Sequence, residues 1–184
     1  MTTKKRGKQT VAFASPPSIA GYSNVVGKKE GEGPLASFFD LINEDDTFGE
    51  ASWEKAESTM QRLALQSALD KAGQAASTLD YVFAGDLLNQ CIASSFAVRG
   101  QDTAFFGLYG ACSTMAEGLT LAAMMLDGGF GIWAGAVASS HFCSAERQYR
   151  TPLEYGGQRT PTAQWTVTGS GAVILSQDGS GPYV

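Results

Sequence analysis

Histidine occurs once in the 184 residues and cysteine three times, with no CxxC pair and no Cys/His spacing of the kind that holds a structural zinc ion. Three cysteines, Cys91, Cys112 and Cys143, are an odd number and too sparse for a disulfide scaffold, so a reducing compartment is expected. Positive charge is also short. Lysine and arginine total 13 against 18 aspartates and glutamates, a net charge of −5. That deficit excludes a nucleic-acid binder of the ordinary kind, which needs a basic field to displace counterions from phosphates. Long apolar runs are missing too. The richest neighbourhood, Ala104 to Phe142, is broken by Glu117, Asp127 and repeated glycines, and contains no stretch of the ~20 residues a bilayer requires. The early apolar run Thr10–Ala14 is too short for a signal-peptide core and meets Pro16-Pro17, so the chain is expected not to be secreted. No repeat of about 20 to 50 residues is visible, which argues against a solenoid.

What is present describes a packed α/β domain: 43% hydrophobic residues, 17% charged residues and 22 glycines. Lys4, Lys5, Arg6 and Lys8 make residues 1–9 a basic arm, expected to be flexible and solvated, with an anionic membrane surface as its alternative contact.

Residues 9–14 read as a first strand, followed by an irregular excursion from Pro16 to about Gly49. Within it, Pro34–Ile42 has the make-up of a short helix. Ser52 then stands as an N-cap, Glu54 suits the positive helix end, and Trp53, Ala56, Met60, Leu63 and Ala64 recur at helical spacing up to a stop at Gly73. A strand over 80–86, a helix over 87–98 stopped by Gly100, a strand over 104–110, a helix over 113–126 and a strand over 131–138 follow. A long loop over 139–161 and a last strand over 171–177 complete a βαβαβαββ order, with a mostly parallel sheet. Met115, Leu119, Leu121, Met124, Met125 and Leu126 leave the 113–126 helix almost no polar face, so it is expected to be central and buried on all sides.

The chemistry centres on Cys112, where the third strand hands over to that helix. A thiol there feels the positive end of the helix dipole, and the same N–H groups can hold an oxyanion or a carboxylate. A buried free cysteine acting as a small hydrophobe is the ordinary alternative. Thr114-x-x-Glu117 has capping-box spacing. His141 and Ser140, just past the fourth strand, and Asp86, past the second, share the sheet edge at which open α/β folds bind ligands. Asp86 is equally suited to capping the helix that follows it. Arg147, Arg150 and Arg159 can meet a carboxylate ligand or pair locally with Glu146 and Glu154. Asp127–Gly131 joins a helix to a strand and so lacks the register of a dinucleotide fingerprint.

The segment Gly107-Leu108-Tyr109-Gly110-Ala111-Cys112-Ser113-Thr114 resembles the nucleophile turn of the thiolase and ketosynthase superfamily. Three further blocks, Gly135–His141, Glu154–Gln158 and Pro161–Gly169, are similar to the stage V sporulation protein AD family of spore-forming bacteria, which has a thiolase-like fold. The resemblance covers nearly the whole chain. It implies a non-catalytic protein that binds dipicolinic acid (pyridine-2,6-dicarboxylate) for uptake into the developing spore. It also implies a homodimer formed through the third strand, other stage V sporulation proteins as partners, and a cytoplasmic or forespore location peripheral to the spore inner membrane. Cys112, Asp86, Ser140 and His141 are then the expected ligand-binding residues, with no resident cofactor or metal, and with calcium accompanying the dipicolinate as a further option. The superfamily fold has two similar halves, and residues 1–184 correspond to the N-terminal half. Two other readings stand beside it: an acyl-transferring enzyme with Cys112 as nucleophile and CoA as acyl carrier, and an assembly subunit with a vestigial pocket.

Overall fold

A computed structural model describes residues 4–149, 162 and 164–184. Two two-residue strands, β1 (Lys5–Arg6) and β2 (Thr10–Val11), pair antiparallel near the start of the chain. The main sheet contains β3 (Ser18–Gly27), β4 (Leu41–Asn43), β5 (Tyr81–Gly85), β6 (Ala104–Leu108), β7 (Trp133–Ser140) and β8 (Gly169–Ser176) in the spatial order β4-β3-β8-β7-β5-β6. β5, β6 and β7 run parallel, as do β3 and β4, whereas β8 is antiparallel to both of its neighbours. The helices are α1 (Lys28–Gly31), α2 (Trp53–Ala72), α3 (Ile92–Ala97), α4 (Thr114–Asp127) and α5 (Phe142–Tyr149). From β3 onward, with the short α1 and β4 set aside, the order is the expected βαβαβαββ with one addition, α5 between the last two strands.

The best-signalled helix formed as its caps direct. Ser52 Oγ accepts from the Lys55 N–H, and Gly73 takes φ 66° at the other end, a left-handed conformation that glycine adopts without strain. Between those caps, Ala56, Met60, Ala64, Leu65, Ala68 and Leu69 are buried against Val25, Val82, Ala84, Val137, Ala172 and Ile174 of the sheet. Gly21 lets α2 lie close on β3, because a Cβ there would meet the Ala68 carbonyl and the Ala72 nitrogen. On the opposite face, Ala122, Ala123 and Leu126 of α4 pack on Phe83, Ala134 and Leu175.

Several elements depart from expectation. The first core strand is 18–27, not 9–14, and the stretch read as irregular from Pro16 contains the longest strand of the sheet. Its tertiary partners define it: β8 pairs along it and α2 covers it. Residues 34–42 form a single 3-10 turn, Ala36–Phe38, and then β4 rather than a helix. The helix expected over 87–98 is shortened to Ile92–Ala97, because Gln90 and Cys91 take φ of 61° and 49°. Part of the expected 139–161 loop is α5, and Arg150, Glu154 and Arg159 lie outside the described residues. α4 is buried along Thr114, Gly118, Ala122, Ala123 and Leu126, whereas Ala116, Thr120 and Met124 are exposed. Among the described residues α4 therefore has one covered face rather than two. The basic arm is anchored at Lys4, whose ammonium lies 2.5 Å from an Asp127 carboxylate oxygen and also donates to the Asp127 carbonyl.

Candidate functional site

Cys112 is exposed, on the 3-10 turn Ala111–Ser113 that carries β6 into α4. Ala111 just before it takes φ 47°, a left-handed conformation that costs a non-glycine residue energy and that is concentrated at functional turns. The turn is braced from behind. Thr114 Oγ1 accepts from the Gly110 N–H at 3.2 Å, Ser113 Oγ donates to the Gly110 carbonyl at 2.7 Å, and Cys91 Sγ donates to the Leu108 carbonyl. Thr114 and Glu117 therefore do not form the expected capping box. Ser113 occupies the N-cap position without a side-chain cap bond, and the Thr114 N–H, first of α4, donates to the Ala111 carbonyl of the preceding 3-10 turn. An exposed thiol thus lies at the positive end of the α4 dipole.

The other three expected site residues go elsewhere. Asp86 is 2% exposed, and its oxygens accept from the Leu88 N–H, the Ser94 N–H and the Ser94 hydroxyl, at 2.8, 2.8 and 2.6 Å. It organises the approach to α3, the capping role. Ser140 Oγ donates to the Val167 carbonyl at 2.7 Å. His141 is 1% exposed, with Nδ1 accepting from the Cys143 N–H and Nε2 facing the Asp46 carbonyl at 2.8 Å. That pairing puts the ring proton on Nε2, and the ring packs 5.3 Å from Trp53. β5 lies between β6 and β7, so the ends that carry Cys112 and His141 are two strand spacings apart, ~10 Å. The four residues share a sheet edge, and Asp86, Ser140 and His141 are each engaged in hydrogen bonds within the fold.

Beneath that edge lies a polar network. Glu57 of α2 is fully buried, accepting from Ser139 Oγ on one oxygen and Ser144 Oγ on the other, each at 2.8 Å. Gln61 Nε2 donates to Ser139 Oγ at 2.7 Å and to Ser94 Oγ at 2.9 Å, which links Glu57 to Asp86. Burial pushes the Glu57 carboxyl up to about 7, against the two serine hydrogen bonds, and the Asp86 charge adds to the rise. The sequence did carry a signal for this network: Glu57 and Gln61 are polar residues four apart, on the helix face otherwise made of Ala56, Met60 and Ala64.

Beside Cys112, the Tyr109 and Tyr149 hydroxyls lie 2.9 Å apart, and Tyr149 donates to the Leu87 carbonyl at 2.7 Å. The hydrogen bond shared with Tyr109, and then burial, raise the Tyr149 phenol to about 12. A separate cavity of about 360 Å³ lies around His141, between α1, the Asp46 loop and the Trp165–Thr168 segment. Among the described residues no group of three or more His, Cys, Asp or Glu side chains is placed to hold a metal ion. No described helix is long and apolar enough to cross a membrane.

Solved structures with this arrangement include the priming β-ketosynthase of the R1128 polyketide pathway (TM-score 0.57, 18% identity, 93% of this chain and 52% of that one). Another is 3-oxoacyl-(acyl carrier protein) synthase III from Xanthomonas oryzae pv. oryzae (TM-score 0.58, 20% identity, 89% and 56%). At such identities they establish the thiolase-like fold alone. At the sequence level, the chain is 42% identical over 174 residues to stage V sporulation protein AD of Bacillus subtilis (strain 168), covering 95% of this chain and 52% of that protein. The chain thus spans about half the length of its curated relative. The family model for stage V sporulation protein AD matches residues 7–184, and the chain belongs to that family.

Proposed function

We propose that this sporulation protein uses the Cys112 turn to bind dipicolinic acid for uptake into the developing spore, without turning it over. The supporting observation is the exposed Cys112 at the approach to α4, where the positive end of the helix dipole favours one carboxylate of the ligand. The second carboxylate needs a cation or a calcium ion from outside this cluster, since Asp86, Ser140 and His141 are engaged in internal hydrogen bonds. Calorimetry of the full-length protein with dipicolinate, with and without calcium, tests the proposal. Saturable binding weakened by a bulky Cys112→Trp substitution is expected; absence of heat under both conditions overturns it.

An acyl-transferring enzyme is the second reading, favoured by the exposed thiol next to the strained Ala111. His141 offers it no ready base, because both ring nitrogens are engaged inside the fold. A lasting acyl adduct on Cys112 after incubation with acyl-CoA, seen by intact mass, would establish it.

The assembly follows from the sheet. β6 is an edge strand, with Phe106 and Tyr109 exposed beside it, and it is suited to pairing with β6 of a second copy. The exposed side of α4 is suited to packing against the remainder of the full-length protein. Other stage V proteins, and the spore inner membrane as a peripheral surface, complete the proposed setting.

A further inference from the structure

The cavity around His141 has its own chemistry. Glu30, at the end of β3 on α1, accepts from the Thr168 N–H through Oε1 at 3.2 Å, while its Oε2 is buried and has no hydrogen-bond partner. A buried carboxylate oxygen without a donor is costly unless a ligand or an ion supplies one. Asp46 brings a second carboxylate to the same cavity. Among the described lining residues the one cationic side chain is Lys29, exposed, with its ammonium 5.0 Å from the centre of the Trp165 ring. The described lining therefore has an excess of negative charge, together with an aromatic face that already attracts a cation.

We propose that this cavity is a second binding site, for a small organic monocation: an amidinium or guanidinium carried on an apolar stem. Its N–H groups would donate to Glu30 Oε2 and balance the excess charge, while the flat cationic head lies against Trp165 and the stem meets Phe142. A volume of about 360 Å³ is enough for a ligand of this size. Cys112 does not line the cavity, and the charge preference is opposite to that of the dicarboxylate proposed above.

The experiment uses full-length protein labelled with 5-fluorotryptophan, whose Trp165 resonance is assigned by Trp165→Phe, titrated with benzamidine and, separately, with benzoate. A saturable shift of the Trp165 signal with benzamidine alone is expected, weakened at least about ten-fold by Glu30→Gln and unchanged by Cys112→Ala. Calorimetry on Trp165→Leu provides a second reading, with a similar loss of affinity expected. The proposal is overturned if benzamidine gives no saturable shift, if benzoate binds as well, or if Glu30→Gln and Trp165→Leu both bind as the parent does. Because Cys112→Ala leaves this site intact, its failure is separable from failure of dipicolinate binding.

Discussion

The Gln61 carboxamide nitrogen lies 2.7 Å from the Ser139 hydroxyl, and through that contact helix α2 holds the end of β7. The same nitrogen reaches Ser94, so one side chain fixes the relative positions of α2, α3 and β7 under the ligand-bearing edge. Gln61→Leu leaves Ser94 and Ser139 without their donor in a buried setting, and a loss of about 2 kcal/mol in urea unfolding is expected.

Glu57 gives stability a pH dependence of unusual sign for a carboxylate. Its folded value of about 7 lies above the ordinary 4.5, so between those values the native state holds a proton that the unfolded state has released. The contribution is fully present below the unfolded value and is lost as pH rises through about 7. The loss is roughly 3 kcal/mol between acid and alkaline limits. Ser144 accommodates the protonated form, since its hydroxyl can turn from Glu57 to the His141 carbonyl at 3.1 Å. Urea denaturation at pH 5.5 and 8.5 should show the parent weaker at the higher pH, and Glu57→Gln nearly flat.

The three cysteines should alkylate in a fixed order. Cys112 is exposed, whereas burial raises the thiols of Cys91 and Cys143, with help from Asp86 at the first and Asp46 and Glu146 at the second. Brief iodoacetamide treatment followed by peptide mass mapping should find the first adduct on Cys112.

Gly85 occupies the closest approach of β5 to the β6–α4 turn. A Cβ there would run into the Leu108 carbonyl and Thr114 Cγ2, so Gly85→Ala should cost about 2 kcal/mol and displace the start of α4. Thermal unfolding checks the first effect, and the rate of Cys112 alkylation checks the second.

Pairing through the β6 edge makes a size prediction. Gly107→Pro removes a backbone donor from that strand, and Phe106→Glu places a charge beside it. Both should shift the full-length protein toward a monomer in sedimentation velocity, whereas the exposed Phe130→Glu should not.

Legibility in the sequence followed the range of the forces involved. α2 was readable end to end because Ser52 and Gly73 act on their own neighbours. β3 was not: Gly21, Ser23 and Asn24 look like loop residues, and Gly21 is there because α2 lies against it. The Cys112 turn was placed correctly by its small residues, and the strain at Ala111 agrees with that placement. What the sequence did not reveal is that Asp86, Ser140 and His141 are held by hydrogen bonds to Ser94, to the Val167 carbonyl and to the Asp46 carbonyl, two of these partners far along the chain. Only the fold reveals that Glu57 meets Ser139 across 82 positions.

The Asp127 carboxylate resists burial but is held below the usual range by Lys4 and by the N–H groups of Ser15 and Ala14. Asp127 closes the same helix that begins beside Cys112, so α4 is a strut about 21 Å long with the proposed ligand turn at one end and the head of the chain fastened to the other. Trimming or tagging the first residues is thus a mechanical intervention at the Cys112 turn, delivered from the far end of a rigid rod.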